Sequence, residues 1–231
     1  MKHLSLKLLP AAGAMLALAW TASAQITGYD LGTDAPPTDL GGYTFTVFPA
    51  DPTAINTVTY SIASPLGGDL VLETDLLPPF SYHLAVGQGW ATWSHGYTGD
   101  VYSDNVSHGF TITLPPSTGA FYFYAEPNPQ YPVPVEVTAD ETTPAGTSIP
   151  STLVSGFFGA NGFAFVAPAG STITTIRLTS LYGIGVGEFG IAAAVPEPGS
   201  SAVAVAVGLM AMAGIRRFYN RGERFVAPRR S

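Results

Sequence analysis

The chain of 231 residues has a formal net charge of −7, is 46% hydrophobic and contains no cysteine. The lack of cysteine excludes disulfides, thiol nucleophiles, thiolate zinc sites and iron–sulfur clusters. Residues 25–194 hold fourteen acidic side chains and one basic side chain, Arg177, a net charge of −13. A surface of this charge repels nucleic acid, so we exclude nucleic-acid binding. The acidic residues either attract divalent cations or serve only to keep the protein soluble.

The first 24 residues have the order of a secretory signal peptide. Two lysines precede an apolar run over residues 8–20, and Ala22-Ser23-Ala24 follows as a small-x-small cleavage box. This order predicts export and cleavage by signal peptidase between Ala24 and Gln25. The alternative is a short N-terminal core helix.

Residues 25–194 show no helical period and are predicted to form an all-β domain. Val133, Val135 and Val137 fall on one face of a strand and Glu136 falls on the other. We expect an antiparallel β-sandwich, jelly-roll-like, with a generic immunoglobulin-like sandwich as the alternative. The polar, proline-bearing residues 140–152 are predicted to form an exposed connection. Apolar–polar alternation predicts strands over 43–48, 57–62, 69–73, 109–114, 120–125, 134–139, 162–166, 172–178 and 187–193.

Residues 89–108 are the densest polar and aromatic stretch. Aromatic faces stack on sugars, and short carboxylates and amides bind hydroxyls, so the stretch indicates a carbohydrate-binding surface. The alternative is that the aromatic residues belong to the core or its rim and the polar residues form turns. A binding surface would expose the aromatic side chains, whereas a structural role would bury them. The predicted ligand-binding residues are Trp90, Trp93, Tyr97, Asp100, Asp104 and Asn105.

Calcium is the one cofactor for which the chain offers candidate ligands. Asp100 and Asp104 lie close together in DVYSDN, and Glu188 lies between glycines in GVGEFGI. Their oxygens suit Ca²⁺, but the spacing matches no known calcium loop, so turn residues and a solvated acid are the alternatives.

The sequence does not indicate catalysis. There is no Gly-x-Ser-x-Gly, no His-Glu-x-x-His and no phosphate-binding loop. Ser94 and His95 are neighbours, but adjacency does not make a nucleophile and its base. We therefore predict that the protein is not an enzyme; a glycoside-directed enzyme would need two carboxylates converging in a cleft.

The C-terminal part begins with Val195-Pro196-Glu197-Pro198. Its prolines keep that segment extended. Residues 199–215 carry no charge, which predicts a single transmembrane helix over about 199–217. Six arginines in 216–231 hold the following end on the cytoplasmic side.

These three features in this order, on a chain with a signal peptide, resemble the PEP-CTERM sorting signal. That signal is associated with exosortase, a membrane-embedded cysteine transpeptidase of Gram-negative bacteria that make exopolysaccharide. The resemblance implies that Val195, Pro196, Glu197 and Pro198 form the recognition motif and that the helix and arginines are removed. The tail beyond Arg217 is longer than is usual in such signals. The alternative is a permanent membrane anchor.

Four segments of the body, 121–129, 135–140, 155–162 and 185–198, resemble a group of exported bacterial proteins with this tail. That resemblance implies a β-sandwich displayed at the cell surface or in the extracellular matrix, after an inner-membrane-anchored precursor stage, and it implies no reaction. We expect a non-enzymatic structural or adhesive role. The alternatives are a carbohydrate-binding module for exopolysaccharide and a glycoside-directed enzyme.

Overall fold

A computed structural model describes residues 25–75, 81–103, 106, 108–140 and 147–196. These residues form seventeen strands and no helix, so none of them belongs to a helix that could cross a membrane. The predicted signal peptide and C-terminal helix lie outside the described residues. The strands are β1 (Thr27–Gly32), β2 (Asp39–Leu40), β3 (Tyr43–Thr44), β4 (Thr46–Val47), β5 (Thr57–Thr59), β6 (Ser61–Ala63), β7 (Asp69–Thr74), β8 (Ser81–Val86), β9 (Gly89–Trp90), β10 (Asp100–Ser103), β11 (Gly109–Thr113), β12 (Thr118–Pro127), β13 (Pro132–Ala139), β14 (Thr147–Ser155), β15 (Asn161–Val166), β16 (Thr175–Ser180) and β17 (Ile184–Ala193).

The strands form two large sheets and one small hairpin. A nine-stranded sheet has the order β1-β15-β12-β17-β10-β8-β5, with β4 added to β17 and β9 added to β8. A six-stranded sheet has the order β14-β13-β16-β11-β7-β6, and β2 pairs with β3. All of these pairings are antiparallel except that of β8 with β9. The predicted all-β class with antiparallel sheets is confirmed.

The two large sheets share one hydrophobic core. Phe121 and Phe123 of β12 pack there with Ile112 of β11 and Val135 of β13, and all four are fully buried. The predicted facing of β13 is confirmed, because its valines are buried and Glu136 is exposed. Burial of these side chains is the main stabilising term available to a domain without disulfides.

The outer face of the nine-stranded sheet is also covered. Tyr122 and Tyr124 point away from the shared core and pack with Trp90, Trp93 and residues before β4 in a second cluster. Every residue of β12 is therefore buried, although the strand alternates between two faces. The connecting segments form a layer of their own over the sheet.

Several sequence predictions need correction. The predicted strand 43–48 is two short strands, of which β3 pairs with β2 and β4 pairs with β17. Strands β1, β8 and β10 were not predicted. The predicted strand 57–62 is two strands in different sheets, because the chain crosses from one sheet to the other at the exposed residue Tyr60. The predicted loop 140–152 is wrong from Thr147 onward, where β14 pairs with β13. β14 is an edge strand, and an edge tolerates Pro150 because one side of the strand makes no ladder hydrogen bonds.

The domain has two distinct ends. Thr27 of β1 pairs with Val166, and Ala193 at the end of β17 pairs with Thr118. The start of the first strand and the end of the last strand therefore lie at one end of the sheet, the proximal end. Ile184 starts β17 at the opposite, distal end, roughly 30 Å away for a ten-residue strand. The loops between β12 and β13, β14 and β15, and β16 and β17 all lie at the distal end.

Candidate functional site

A cavity of about 450 Å³ lies beside β17. β4 pairs with Gly190 and Ile191 of β17, and β10 pairs with Val186 and Gly187 on the same side of that strand. Glu188 and Phe189 lie between the two partner strands and line the cavity, which we call the bulge cavity. Its other aromatic and acidic lining residues are Phe45, Phe48, Tyr97, Asp100, Tyr102 and Tyr122.

A β-bulge places Glu188 at this gap. Tyr122 pairs with Gly190 and Tyr124 with Gly187, so β17 has one more residue than β12 between these pairs. Glu188 has φ 54°, a left-handed conformation that costs free energy for a side chain other than glycine. Such bulges redirect a side chain, and backbone strain of this kind is common at functional sites.

The glycines around Glu188 are required by aromatic rings that lie against the backbone. A Cβ atom on Gly185 would come within 2.9 Å of the Trp90 ring, and one on Gly190 would overlap the Tyr122 ring. A Cβ atom on Gly187 would lie 2.5 Å from the backbone oxygen of Asp100. The GVGEFG segment thus combines a strained acidic residue with three glycines at which an added Cβ would come within 3.0 Å of another atom.

The Glu188 carboxylate is buried, with 8% of the residue exposed. Trp93 Nε1 donates to Oε2 at 3.0 Å, and His95 Nε2 lies 2.8 Å from Oε1. Burial raises the pKa of Glu188, and the hydrogen bonds from His95 and Trp93 offset part of that rise. The alternative of a solvated surface acid is therefore wrong for Glu188.

His95 connects Glu188 to Ser94, whose Oγ lies 2.8 Å from His95 Nδ1. The Ser–His–Glu chain has the order of a hydrolytic triad. However, neither Ser94 nor His95 lines the bulge cavity, and Ser94 is only 2% exposed. The hydrogen bonds among Ser94, His95 and Glu188 therefore position the Glu188 carboxylate, and they do not present a nucleophile to the cavity.

Asp100 is held in a second network. Its Oδ1 lies 2.8 Å from His83 Nε2, and its Oδ2 accepts the backbone N–H of Asp51 at 2.8 Å. His83 Nδ1 lies 2.9 Å from Thr53 Oγ1, and Tyr102 donates its hydroxyl to Asp51 at 2.9 Å. Burial raises the pKa of Asp51, but the hydrogen bonds from Thr53 and Tyr102 outweigh it and the pKa is lowered. The network ties the loop after β4 to β8 and β10.

Another buried acid, Glu126, lies near the distal end and is 1% exposed. Trp90 Nε1 donates to its Oε2 at 2.7 Å, and Thr92 Oγ1 and the Gly159 N–H donate to Oε1 at 3.0 and 3.2 Å. Burial raises the pKa of Glu126, and these bonds lower it in part. Glu126 borders a smaller cavity of about 130 Å³.

The predicted ligand-binding residues separate into three groups. Trp90 and Trp93 are 5% and 2% exposed and donate to buried glutamates, so neither offers the exposed stacking face expected of a carbohydrate-binding surface. Tyr97 and Asp100 line the bulge cavity. Asp104 and Asn105 lie outside the described residues.

The structure brings two of the three calcium candidates to one cavity. Asp100 and Glu188 both line the bulge cavity, while Asp104 lies outside the described residues. Within the described ranges, no three His, Asp or Glu side chains are grouped closely enough to hold a metal ion.

The predicted processing sites are described in part. Gln25 is the first described residue, and Val195 and Pro196 are the last two, with Val195 47% exposed. Ala22, Ala24, Glu197 and Pro198 lie outside the described residues.

Sequence reasoning missed Asp51, His83 and Glu126, which are titratable residues of these networks. Glu126 offered the clearest signal, since it is a lone acid following the apolar run FYFYA at the end of β12. Its partners Trp90 and Thr92 lie more than 30 residues away in the chain.

No protein-family model matches the chain, and no curated protein is detectably similar to it.

Proposed function

We propose that this protein is an exported β-sandwich with jelly-roll-like topology, sorted by exosortase, with a structural or adhesive role outside the cell. Signal peptidase would remove residues 1–24, and the C-terminal helix would hold a precursor in the inner membrane until processing. The mature product would reside on the surface or in the exopolysaccharide matrix of a Gram-negative bacterium.

The position of the sorting motif supports this proposal. The Ala194 N–H donates to Ser117 O, and the Gly170 N–H donates to Val195 O, so the domain holds the chain up to the first motif residue. The motif therefore leaves from the proximal end, beside the start of β1. An anchored precursor would keep that end near the membrane.

The distal end carries the observation on which the adhesive role rests. Its loops expose Tyr131, Phe157, Phe158, Leu181 and Tyr182, each between 42% and 64%. The Tyr131 and Tyr182 rings are 5.7 Å apart, and the Phe157 and Phe158 rings are 4.6 Å apart. We call these five residues the distal apolar patch. Exposed apolar groups clustered in this way are typical of interaction surfaces. While the tail is anchored, the patch would face away from the membrane.

The two alternatives have weaker support. Asp100 and Glu188 line one cavity, which a glycoside-directed enzyme requires, but each of their four oxygens accepts a hydrogen bond from the protein. A general acid must also reach the substrate, and these carboxyl groups are already engaged. The carbohydrate-binding alternative is weakened because Trp90 and Trp93 are buried and cannot stack on a sugar.

Sorting is tested by Glu197→Gln, with Glu223→Gln as the matched control in the same tail. In a host with exosortase, we expect the wild type and Glu223→Gln to appear as processed protein without the arginines, measured by intact mass spectrometry. Glu197→Gln should accumulate as the precursor. Recovery of the full arginine tail on surface-located wild-type protein would overturn the sorting proposal.

Adhesion is tested by Phe157→Ser combined with Tyr131→Ser. Both side chains are exposed, so we expect stability to change by less than about 0.5 kcal/mol. Cell-surface adhesion should fall severalfold, while the control Tyr60→Ser, exposed elsewhere on the domain, should leave it unchanged. Equal adhesion of the wild type and all variants would contradict the proposed role of the distal apolar patch.

A further inference from the structure

We infer that the bulge cavity binds a small organic cation of the alkylammonium class. This inference is independent of the sorting route and concerns a site that the distal apolar patch does not include. The cavity volume of about 450 Å³ lies in the range of small-molecule sites in proteins, which runs from about 300 to 1,000 Å³.

The walls of the cavity are largely aromatic, and one pair of lining rings, Tyr102 and Phe189, is stacked 5.9 Å apart at an interplanar angle of 28°. The rings of Phe45 and Tyr122 are 4.9 Å apart with an interplanar angle of 75°, and those of Phe48 and Phe189 are 5.7 Å apart at 66°. Tyr97 and Tyr102 add two more rings to the lining. A cavity lined by several aromatic rings is the environment in which proteins bind quaternary ammonium groups through cation–π attraction.

The charge of the lining has one sign. Asp100 and Glu188 line the cavity, and no described Lys, Arg or His does so. Arg177, the one basic residue between 25 and 194, is on β16 of the other sheet. A site of this charge repels anions and attracts cations.

The hydrogen bonding of the two carboxylates favours a cation over a neutral sugar. A sugar hydroxyl needs an acceptor that points at it. The oxygens of Asp100 and Glu188 already accept bonds from His83, the Asp51 N–H, Trp93 and His95, which reduces the number of lone pairs left for a sugar. Attraction of an ammonium group requires only that the negative charge be near. The same bonds fix both carboxylates in place, which lowers the entropic cost of binding.

The test compares choline with 3,3-dimethylbutan-1-ol, its neutral analogue of the same shape, by isothermal titration calorimetry. The full chain is used in a polyoxyethylene-ether detergent, which contains neither choline nor sugar, and ionic strength is held constant with sodium chloride. We expect choline to bind at least tenfold more tightly than the alcohol. Equal affinity of the two, or no binding of choline, would overturn the inference. Binding of glucose without binding of choline would overturn it in favour of a saccharide site.

Variants locate the site. Glu188→Gln keeps the shape and can still accept from Trp93, and we expect it to weaken choline binding by about fivefold or more. Phe45→Leu should also weaken it, since it removes a ring and no charge. Glu136→Gln removes an exposed acid from the six-stranded sheet and should leave choline affinity unchanged. Folding of each variant is checked by its thermal transition. Unchanged affinity in both folded site variants would overturn the assignment to this cavity.

Discussion

The two faces of the nine-stranded sheet are both buried, but they are built from different groups. The inner face meets the six-stranded sheet through side chains such as Phe121, Phe123 and Phe163, which pack in an apolar core. The outer face packs Tyr122, Tyr124 and the two buried tryptophans, and it also encloses the carboxylates of Glu126 and Glu188. Apolar burial is non-directional, whereas a buried carboxylate is tolerated only with its donors in place. The inner face thus provides stability, and the outer face fixes the geometry of the loops above it.

The difference explains why Trp90 and Trp93 each have an acid as a hydrogen-bond partner. Trp90 donates to Glu126 and Trp93 donates to Glu188, and the segment that carries both tryptophans lies across the sheet between the two acids. An indole N–H that is buried needs an acceptor, and a buried carboxylate needs donors. Each contact therefore satisfies the hydrogen-bonding needs of both side chains and fixes the position of the segment on the sheet. Because Tyr97 and Asp100 follow this segment in the chain, its position also determines where they line the bulge cavity.

The largest effect is expected in the inner core. Val135→Asp places an unpaired carboxylate at a fully buried position, and we expect it to destabilise the domain by about 4 kcal/mol or to prevent folding. The control Glu136→Ala changes the adjacent exposed residue and should alter stability by less than about 0.5 kcal/mol. Urea unfolding followed by circular dichroism measures both. A neutral Val135→Asp would contradict the facing of β13. Reducing agent should leave the unfolding curve unchanged, since the chain has no cysteine.

A smaller effect is expected on the outer face at Gly190. A Cβ atom added at Gly190 would lie 2.1 Å from the ring of Tyr122, which is 1% exposed and packs against Phe45. We expect Gly190→Ala to cost about 1–3 kcal/mol through overpacking. Gly109→Ala is the matched control in β11, because the nearest atom to its Cβ is a carboxylate oxygen of Asp75 at 3.3 Å. If both substitutions had the same small effect, the close packing of aromatic rings on β17 would be contradicted.

The inner face was the easier one to predict from sequence. In PVEVTA the valines alternate with polar residues, and that alternation depends only on which side of one strand meets the core. The alternation is absent from β12, which is buried on both sides, yet its aromatic residues still indicated a strand. Four longer strands were not predicted: β1 and β14 lie at sheet edges, and β8 and β10 lie inside the nine-stranded sheet. β14 exposes much of its length and contains Pro150, so its sequence resembles that of a loop.

The outer face could not be derived from sequence because its contacts join distant parts of the chain. Trp93 and Glu188 are 95 residues apart, and nothing local to either residue specifies the other. The glycines around Glu188 were visible, but the sequence alone does not say that they make room for Trp90 and Tyr122. The aromatic and acidic residue types of the site were therefore recognised, whereas their burial and their partners were not.

The smallest expected effect concerns pH. Among the described residues, the carboxyl groups whose pKa is raised, Glu126 and Glu188, both lie on the outer face. Burial raises the folded-state pKa of Glu126 above its ordinary value of 4.5. At pH values between the ordinary pKa of 4.5 and the raised folded-state pKa, the folded protein binds more protons than the unfolded chain. The free energy of unfolding therefore decreases as pH rises through this interval. The contribution of protonated Glu126 is fully present below about pH 4.5 and is lost as pH rises through the folded-state pKa.

Glu126→Gln removes this titration. Its amide group loses one of the three donated hydrogen bonds, which lowers stability by an amount that does not depend on pH. We therefore expect the stability of the wild type, relative to Glu126→Gln, to decline as pH rises from about 4.5 to 7.5, measured by urea unfolding at each pH. Glu136→Gln controls for the loss of one negative charge from an acidic domain. A wild-type advantage that stayed constant, or that grew with pH, would mean that the donated bonds outweigh burial and that the carboxylate is favoured in its ionised form.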